Sequence, residues 1–325
     1  MEPERILIVR LGAFGDIIHA LPAAATVRAN CPRAKITWLV ESRWAALLEG
    51  NPDVDEVLTF DRRGPGSWPS LVARLRRAKF DLAIDLQGLL KSALPVRLSG
   101  ARLRVGLAWG AAREALASFC YSHTCTPTAR HIVDQHLELA GCAVGGERVV
   151  RFAIPEGRAE GELPERFVLA CPLAGWRSKQ WPLERYAELA KLVRECLGAP
   201  LVLNGAPGQE AELRRVRGAA LHVSGLPGLI HATRRALAVV GLDSGPMHLA
   251  AALRKPGVAL FGPTDPARNG PYCDTMPVLR EAASVTTYKR GDEYEPGLAS
   301  IPAARVMDVL LESLRRHEAG TEAAG

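Results

Sequence analysis

Ten short runs of Val, Ile and Leu alternate with helical stretches along the chain, and this alternation constrains the fold more than any other feature. Near-continuous apolar runs are typical of strands that are covered on both faces. The clearest helix is predicted over residues 183–196, where apolar side chains recur at helical spacing. Alternating strands and helices predict an α/β protein with doubly wound parallel sheets. The predicted strands are 6–9, 36–40, 57–60, 82–86, 104–106, 167–170, 201–204, 221–223, 238–242 and 258–261.

The alternation runs twice, which predicts two domains in a chain of 325 residues. A segment rich in Gly, Glu and Pro, residues 155–164, separates the two runs. We therefore predict one Rossmann-like domain over residues 1–160 and a second over 161–300, with ligand in a cleft at the carboxyl ends of their strands. Residues 301–315 are predicted to form a last helix that packs across both domains, and residues 316–325 to form a disordered tail.

Composition narrows the class of protein. Hydrophobic residues make up 48% of the chain and charged residues 23%, as in ordinary globular proteins. The first residues lead straight into a strand and no apolar run is long enough to span a bilayer, so neither a signal peptide nor a membrane-spanning helix is predicted. Seven irregularly spaced cysteines favour buried free thiols in a cytoplasmic protein over a zinc site near Cys120, Cys125 and Cys142.

The net charge of +6 is concentrated in one window. Residues 62–113 contain eleven Lys and Arg residues against two acids, Asp81 and Asp85, which gives this window a net charge of +9. The window forms either a solvated helix face with loops or a surface for an acidic partner. Because few aromatic residues are interleaved with these bases, an anionic substrate or a membrane surface is favoured over nucleic acid.

The segment 240–252 predicts an anion-binding site. An apolar strand runs into Asp243, Ser244 and Gly245, and a helix follows at once. Asp243 or Ser244 is expected to cap this helix, Gly245 lets a ligand approach the backbone, and His248 lies within the first turn. Because a helix start presents N–H groups and the positive end of the helix dipole, a phosphate or diphosphate is the expected ligand.

A glycine-containing turn follows the first strand and leads to Asp16. Gly12 and Gly15 are separated by two residues, so this turn is not the dinucleotide-binding fingerprint. A carboxylate near a helix start would also repel a pyrophosphate. Asp16 is therefore either a charge stabilised by the helix dipole or a general base that faces the cleft.

Polar side chains follow several other predicted strands, where they are expected to point towards a ligand. Gln87 and Lys91 follow strand 82–86 and are candidates for binding an anionic or hydroxyl-rich ligand. Arg177 and Lys179 follow strand 167–170 and are candidates for neutralising a phosphate. Glu210, after strand 201–204, occupies a place where acids commonly bind ribose, and the hydroxyl of Thr264 follows strand 258–261.

Together these segments resemble glycosyltransferase family 9, the bacterial ADP-heptose–lipopolysaccharide heptosyltransferases. The motifs that carry the resemblance span almost the whole chain, in order. They are Ile-Val-Arg-x5-Asp-Ile-x-His at 8–19, Asp-x-Gln-Gly-Leu-Leu-Lys-Ser at 85–92, Ala-Arg-Glu-x-Leu-Ala-Ser-x-x-Tyr at 112–121, Lys-x-Trp-Pro at 179–182, Asp-Ser-Gly-Pro-x-His-Leu at 243–249 and Gly-Pro-Thr-Asp-Pro at 262–266. The second and third motifs look most like the heptosyltransferase I branch, which adds the first heptose to Kdo on lipid A.

The resemblance implies a GT-B architecture with the acceptor on the N-terminal domain and the nucleotide-sugar donor on the C-terminal domain. It also implies an inverting transfer of heptose from ADP-heptose to the Kdo–lipid A inner core, by a peripheral protein at the cytoplasmic face of the bacterial inner membrane. Asp16 matches the family's proposed catalytic base. The expected donor-binding residues are Lys179, Glu210, Asp243, Ser244, Gly245, His248 and Thr264. The expected acceptor-binding residues are Arg10, Gly15, Arg62, Arg63, Gln87, Lys91 and Arg113.

Alternatives remain open at this point. The family's ribose-binding acid usually sits one residue before Glu210, where this chain has Gln209. A heptosyltransferase II or another nucleotide-sugar transferase of the family is one alternative. An NAD-dependent oxidoreductase would require a dinucleotide fingerprint, and a non-catalytic nucleotide-binding module would not explain a carboxylate that faces an anion site. No cofactor or tightly bound metal ion is expected, since no Asp-x-Asp motif stands in a fitting position, and the sequence indicates no oligomeric state.

Overall fold

Two compact units, Met1–Pro155 and Glu156–Gly325, make up the chain. The computed structural model describes residues 3–61, 67–287 and 289–324. The division falls inside the segment 155–164 and a few residues before the predicted boundary at 160. Each unit contains its own sheet and its own apolar core.

The first unit is built on a six-stranded parallel sheet in the order β3-β2-β1-β4-β5-β6, which is the Rossmann order. The central strand β1 is buried on both faces because its four residues from Ile6 to Val9 are all apolar. In the register of β1 with β4, Val9 lies opposite Asp85, so the segments that follow these two strands leave the sheet side by side. The strands are β1 (Arg5–Val9), β2 (Lys35–Val40), β3 (Glu56–Thr59), β4 (Leu82–Asp85), β5 (Leu103–Leu107) and β6 (His123–Cys125).

Helices connect these strands and cover the sheet. The longest of them, α1, begins five residues after β1 and buries an Ala- and Ile-rich face against α4. The helices are α1 (Phe14–Asn30), α2 (Ser67–Ala78), α3 (Leu90–Leu98) and α4 (Ile132–Val144), with the 3-10 helices η1 (Ser42–Leu48) and η2 (Ala115–Cys120).

The second unit repeats the same strand order. Its parallel sheet runs β12-β11-β10-β7-β8-β9, so its first strand, β7, again lies between its second and fourth. The strands are β7 (Val168–Ala170), β8 (Leu201–Gly205), β9 (Ala220–Val223), β10 (Ala238–Leu242), β11 (Gly257–Phe261) and β12 (Val278–Arg280). The helices are η3 (Arg177–Lys179), α5 (Leu183–Leu197), α6 (Glu210–Leu213), α7 (Leu226–Arg235), α8 (Gly245–Ala252), α9 (Pro266–Asn269), α10 (Pro296–Ser300) and α11 (Ala303–Ala324).

An aromatic pair fixes the last helices of the second unit to α5. Trp181 and Tyr186 are fully buried and meet edge to face with ring centroids 4.9 Å apart. The Trp181 indole Nε1 donates to the carbonyl of Ile301 at 3.0 Å, at the junction of α10 and α11. Helix α11 then packs against α5, β10 and β11.

The fold confirms the ten predicted strands and adds two that were not predicted, the three-residue edge strands β6 and β12. The predicted disordered tail is wrong, because residues 316–324 continue helix α11. The packing of this helix across both domains stays a prediction. No helix within the described ranges is long and apolar enough to cross a membrane.

The expectation of seven free thiols is also wrong. Cys125 in β6 and Cys142 in α4 form a disulfide, although 17 residues separate them in the sequence. Strand β6 brings Cys125 to α4. Because this strand is not predicted from the sequence, the spacing of the cysteines does not indicate that Cys125 and Cys142 pair. The other five cysteines are free, and two of them, Cys31 and Cys171, are buried.

Candidate active site

Asp16 lies in the first turn of α1, beside the carboxyl ends of β1 and β4, where the strand order of the first sheet reverses. Ligands of doubly wound sheets bind at such reversal points. The Asp16 Oδ2 accepts a hydrogen bond from the Ala13 N–H at 3.0 Å and lies 2.9 Å from Nη2 of Arg10. The Asp16 side chain is 43% exposed, whereas that of Arg10 is 8% exposed. One carboxylate oxygen is thus anchored while the side chain remains accessible to a substrate.

Arg10 faces the protein interior. Its Nη1 donates to the carbonyl of Leu86 at 2.5 Å, which ties the residue after β1 to the residue after β4. Its own carbonyl accepts a hydrogen bond from the Trp38 indole at 3.2 Å. Burying a guanidinium is costly unless acceptors lie nearby; Asp16 and Leu86 supply them for Nη2 and Nη1, whereas the buried Nε has no hydrogen-bond partner among the described residues. Arg10, predicted to bind the acceptor, is therefore placed to hold Asp16.

A fully buried carboxylate, Asp85, organises the segment 85–92, which we call the Asp85 loop. Its Oδ1 accepts from the backbone N–H groups of Gln87 at 2.8 Å and Gly88 at 3.3 Å. Its Oδ2 accepts from the Ser92 hydroxyl at 2.8 Å and the Tyr121 hydroxyl at 2.6 Å. Burial raises the pKa of Asp85 even though all four donors lower it. The sequence analysis predicts ligand binding by Gln87 and Lys91 in this segment but assigns no role to Asp85 or Tyr121.

Two predicted acceptor-binding side chains of the Asp85 loop contact neighbouring segments. Gln87 is buried, and its Oε1 accepts from the Leu11 N–H at 3.0 Å, which joins this loop to the turn before Asp16. The Lys91 Nζ lies 3.5 Å from Oε1 of Glu41, which follows β2. The excess positive charge of the window 62–113 is therefore partly neutralised at Lys91 by an acid from outside that window.

The remaining predicted acceptor-binding residues lie near this edge or outside the described ranges. Gly15 is the second residue of α1 and precedes Asp16. Arg113 is exposed, and its backbone N lies near Gly88, which has a positive φ of 68°. Arg62 and Arg63 fall outside the residues that the structure describes.

Asp243 forms the centre of a second polar cluster, in the second unit, at the point where the strand order reverses between β7 and β10. Its Oδ2 lies 2.6 Å from the Lys179 Nζ and accepts from the Thr264 hydroxyl at 2.6 Å. Its Oδ1 lies 3.6 Å from Nε2 of His248. Burial alone would raise the pKa of this carboxyl, but His248 and Lys179 hold it well below its usual value. Asp243 is therefore ionised, and we call these four residues the Asp243 cluster.

The N-terminus of α8 adjoins this cluster and is not capped by either of the predicted residues. Ser244 occupies the N-cap position, but its hydroxyl donates to the Leu242 carbonyl at 3.3 Å, and Asp243 is engaged by Lys179 and Thr264. The expected side-chain cap is therefore wrong. An anion bound here would meet the Gly245 N–H and the positive end of the helix dipole, since Pro246 has no N–H and the Met247 N–H donates to the Ser244 carbonyl at 3.1 Å.

The two bases of η3 have different surroundings. The Lys179 Nζ lies 4.7 Å from the ring centroid of Trp176 as well as next to the Asp243 carboxylate. The Arg177 guanidinium covers the Tyr294 ring at 4.1 Å and lies 3.3 Å from the Glu212 carboxylate. Lys179 thus belongs to the Asp243 cluster, while Arg177 contacts Tyr294 and Glu212. The sequence Trp-Arg-Ser-Lys at 176–179 places an aromatic residue three positions before Lys179, which could have indicated the contact between Trp176 and this lysine.

Gln209 and Glu210 play separate parts at the end of β8. The Gln209 Oε1 accepts from the Ala206 N–H at 2.8 Å and closes the turn. Hydrogen bonds from the backbone N–H groups of Glu210 itself and of Gly208 lower the pKa of the Glu210 carboxyl. Glu210 is therefore the ionised acid of this turn, and its contact with a ribose stays a prediction.

The second unit contains a cavity of about 580 Å³ that none of the four residues of the Asp243 cluster lines. Ser178 and Pro263, which precede Lys179 and Thr264 in the sequence, line it together with Thr287 and Tyr294. Its volume lies in the range typical of small-molecule sites. The cavity therefore offers space for a ligand beside the sequence neighbours of Lys179 and Thr264.

Comparisons with known proteins agree with this arrangement. A model of glycosyltransferase family 9 (heptosyltransferase) matches residues 68–296. Lipopolysaccharide heptosyltransferase 1 of Escherichia coli strain K12 is 30% identical over 304 residues, which cover 85% of this chain and 93% of that protein.

Two solved structures share the fold. The E. coli heptosyltransferase WaaC with ADP superposes with a TM-score of 0.78 at 28% identity, covering 95% of this chain and 99% of that one. The same enzyme with ADP-2-deoxy-2-fluoro heptose gives a TM-score of 0.75 at 27% identity and the same coverage. The chain therefore belongs to glycosyltransferase family 9, the heptosyltransferase family.

Proposed function

We propose that this glycosyltransferase moves a heptose from ADP-heptose to the Kdo–lipid A inner core in lipopolysaccharide biosynthesis, with inversion at the anomeric carbon. The observation that carries the proposal is the Asp243 cluster at the start of α8, which combines a lysine, a histidine and an uncapped helix N-terminus. Such a site suits a diphosphate. The relatives named lipopolysaccharide heptosyltransferase 1, and the ADP-heptose analogue bound by a similar structure, support this donor.

The diphosphate is the leaving group of this reaction. It gains negative charge as the glycosidic bond breaks, and Lys179, His248 and the N–H groups at Ser244 and Gly245 stabilise that charge. Asp243 holds Lys179 in place beforehand, so little reorganisation is needed. Removing one preorganised donor of this kind typically costs about 3 kcal/mol of transition-state stabilisation. Because these groups supply the positive charge, we propose that transfer requires no tightly bound metal ion.

Asp16 acts as the general base in this proposal. It accepts the proton of the acceptor hydroxyl as that oxygen attacks the anomeric carbon. Arg10 and the Ala13 N–H fix one carboxylate oxygen, which sets the orientation of the group. A positioned base of this kind contributes roughly 10²–10⁴-fold in rate.

The acceptor is anionic and lipid-linked in this proposal, and the chain works as a peripheral protein at the cytoplasmic face of the bacterial inner membrane. Lys91, Arg113, Arg62 and Arg63 would meet Kdo carboxylates and lipid A phosphates. Nucleic acid is not a partner. A heptosyltransferase II-type acceptor is the alternative, and the transfer assay below separates the two.

The role of Asp16 as the general base is tested with the variant Asp16→Ala. Transfer from ADP-heptose to Kdo–lipid A, or to the same acceptor already carrying one heptose, is measured with purified protein, and ADP affinity by calorimetry. We expect transfer to Kdo–lipid A to fall by at least about 10²-fold while ADP affinity stays unchanged. Asp274→Asn, which removes an exposed carboxylate, is the control. Full activity of Asp16→Ala would remove Asp16 as the base.

The donor is tested by thermal shift with ADP-, GDP-, UDP- and CDP-sugars and with NAD. We expect ADP-heptose to raise the melting temperature most. His248→Ala should weaken ADP binding by about tenfold, the loss expected for one hydrogen bond to a charged group. A larger shift with NAD, or unchanged ADP affinity of His248→Ala, would contradict the donor or the part of His248.

A further inference from the structure

An exposed apolar surface lies beside the Asp85 loop in the first unit. Five large hydrophobic side chains share this region and are open to solvent. They are Leu90, Leu94, Trp109, Leu116 and Phe119, which we call the Trp109 surface. Phe119 is 73% exposed and Trp109 is 55% exposed, and their rings meet edge to face with centroids 5.4 Å apart. Leaving such side chains in water is costly, so this surface is expected to have a partner.

The elements that carry the Trp109 surface are packed together. Leu90 and Leu94 are four residues apart on α3, and Leu116 and Phe119 are three apart on η2, so each pair shares a face. Helix α3 packs against η2, and the Leu90 N–H donates to the Glu114 carboxylate at 2.6 Å. The exposed side chains therefore lie on adjoining parts of one surface.

Positive charge accompanies these side chains. Residues 88–120 contain five bases and one acid, Glu114. Arg97 is exposed on α3, three residues after Leu94. Arg104 donates from Nε to the Cys120 carbonyl at 3.1 Å. Burial and Asp85 raise the pKa of the Cys120 thiol while Arg97 and Arg104 lower it, so both guanidinium groups act at η2.

We propose that the Trp109 surface docks this chain on an anionic phospholipid bilayer. Tryptophan, phenylalanine and leucine side chains enter the boundary between headgroups and acyl chains, and the arginines contact lipid phosphates. The proposal rests on the proposed function, because a lipid-linked acceptor has to be reached at the membrane. Leu90 directly precedes Lys91, and the segment from Trp109 to Leu116 contains Arg113. An acceptor held in the same bilayer would therefore be presented to the predicted acceptor-binding bases.

Charge complementarity favours a bilayer over a second copy of the chain. A two-fold symmetric dimer on this surface would place the same patch against itself. Arg97 and Arg113, which are both exposed, would then face their own copies, and like charges repel across an interface. An anionic bilayer offers negative charge and an apolar layer at once.

The test uses the full-length protein and co-sedimentation with vesicles of phosphatidylethanolamine and phosphatidylglycerol, compared with phosphatidylcholine alone. Phe119→Ser should weaken binding to the anionic vesicles by about tenfold, as expected for one large apolar side chain. Trp109→Ser gives an independent variant of the same surface. Val150→Ser, an exposed apolar residue elsewhere in the first unit, should bind as the unmodified protein does.

Charge is tested separately. Arg97→Gln should weaken binding to anionic vesicles by about fivefold and leave binding to phosphatidylcholine unchanged, since each base near an anionic surface contributes about that factor. Arg217→Gln, an exposed base of the second unit, is the matched control.

Transfer assays keep this proposal distinct from the proposed function. Phe119→Ser should transfer normally to acceptor dispersed in detergent and more slowly to acceptor in vesicles. Equal vesicle binding by the unmodified protein and by both serine variants overturns the docking surface. A dimer that Phe119→Ser converts to a monomer, without vesicle binding, also overturns it. Vesicle binding without heptose transfer overturns the proposed function and leaves the surface standing.

Discussion

At the residue scale, the two carboxylates of the candidate site differ in what surrounds them. Asp243 is 7% exposed and is kept ionised by Lys179 and His248, whereas the Asp16 side chain is 43% exposed. A carboxylate that accepts a proton during a reaction has to be reached by the substrate, and Asp16 meets that requirement. Asp243 instead holds Lys179 in place. In the proposed reaction it is therefore a positioning residue, which acts on the leaving group through Lys179.

We expect Asp243→Asn to destabilise the protein by about 3 kcal/mol at pH 7, because Lys179, whose side chain is only 18% exposed, loses its ionised partner. Urea denaturation measures this change, with Asp274→Asn as the exposed control. The fold lowers the pKa of Asp243 below its ordinary value of 3.8, so its contribution is complete above that pH and is lost as the pH falls further. The difference between the two proteins should therefore persist from pH 7 to about pH 5 and shrink in stronger acid. Equal stability at pH 7 would contradict the ion pair.

His136 gives a second pH-dependent expectation. It is buried in α4, its Nδ1–H donates to the His19 carbonyl at 3.1 Å, and burial and the Arg10 charge lower its pKa to about 3. The unfolded chain binds this proton near pH 6.5 and the folded protein does not, so stability falls as the pH drops below 6.5.

We expect the stability advantage of the unmodified protein over His136→Asn to fall by about 1.4 kcal/mol per pH unit between pH 6 and pH 4, the slope for one proton. Chemical denaturation at several pH values measures it. A pH-independent difference would mean that His136 is protonated in the fold.

At the scale of elements, the Asp85 loop shows how a short segment between β4 and α3 is fixed. Four donors converge on one buried carboxylate, and one of them, Tyr121, comes from the residue that follows η2. The loop is held from both sides, so Gln87 and Lys91 have defined positions.

We expect Tyr121→Phe to cost about 1–3 kcal/mol in unfolding free energy, since it leaves the buried Asp85 with one donor fewer. Tyr186→Phe is a matched control, because the Tyr186 hydroxyl is buried and has no hydrogen-bond partner among the described residues. Removing it should be neutral or stabilising. Equal losses for the two variants would show that the hydrogen bond to Asp85 does not account for the effect.

The sequence predicted elements where the local pattern was strong. Six of the ten predicted strands, β1, β2, β4, β8, β10 and β11, are at least four residues long and almost wholly buried, which demands apolar residues at nearly every position. The strands β6 and β12 are three residues long and lie at sheet edges, where one side is open and the composition is less constrained. The sequence predicts an end of helix α11 at residue 315 because residues 315–320 are exposed and form no apolar face.

The candidate site was predictable in part for a similar reason. Asp16, Lys179, Asp243 and His248 stand at strand ends or helix starts, which the pattern locates. The partners of Asp85 and Asp243 are contributed by Tyr121 and Thr264, 36 and 21 residues away, and no local pattern records such contacts. The Arg10 side chain likewise points inward because it donates to the carbonyl of Leu86, the residue after β4.

At the scale of the whole molecule, the two units carry different parts of the proposed chemistry. Asp16 and the Asp85 loop belong to the first unit and the Asp243 cluster to the second. Each unit has a separate apolar core, so ligand binding is expected to stabilise the unit that holds the ligand.

We expect ADP to slow hydrogen exchange in peptides that contain β10 and α8 and to leave peptides that contain β1 and β4 unchanged. The stabilisation should reach about 2.7 kcal/mol at an ADP concentration of 100 times the dissociation constant. Mass spectrometry of exchanged peptides gives the measurement, with GDP as the control nucleotide. Protection confined to the first unit would place the nucleotide in the wrong unit for the proposed function.

The central position of β1 has a consequence for how the protein is made. Strand β1 leaves the ribosome before the other strands of its sheet, yet one of its two neighbours, β4, is completed only with residue 85. At 5–20 residues per second this wait lasts roughly 4–15 s, during which a strand with four successive apolar residues has an unpaired edge. Nascent chains that stall before residue 85 are therefore the ones most in need of a chaperone. Chains that stall after residue 155 already contain every strand of the first sheet.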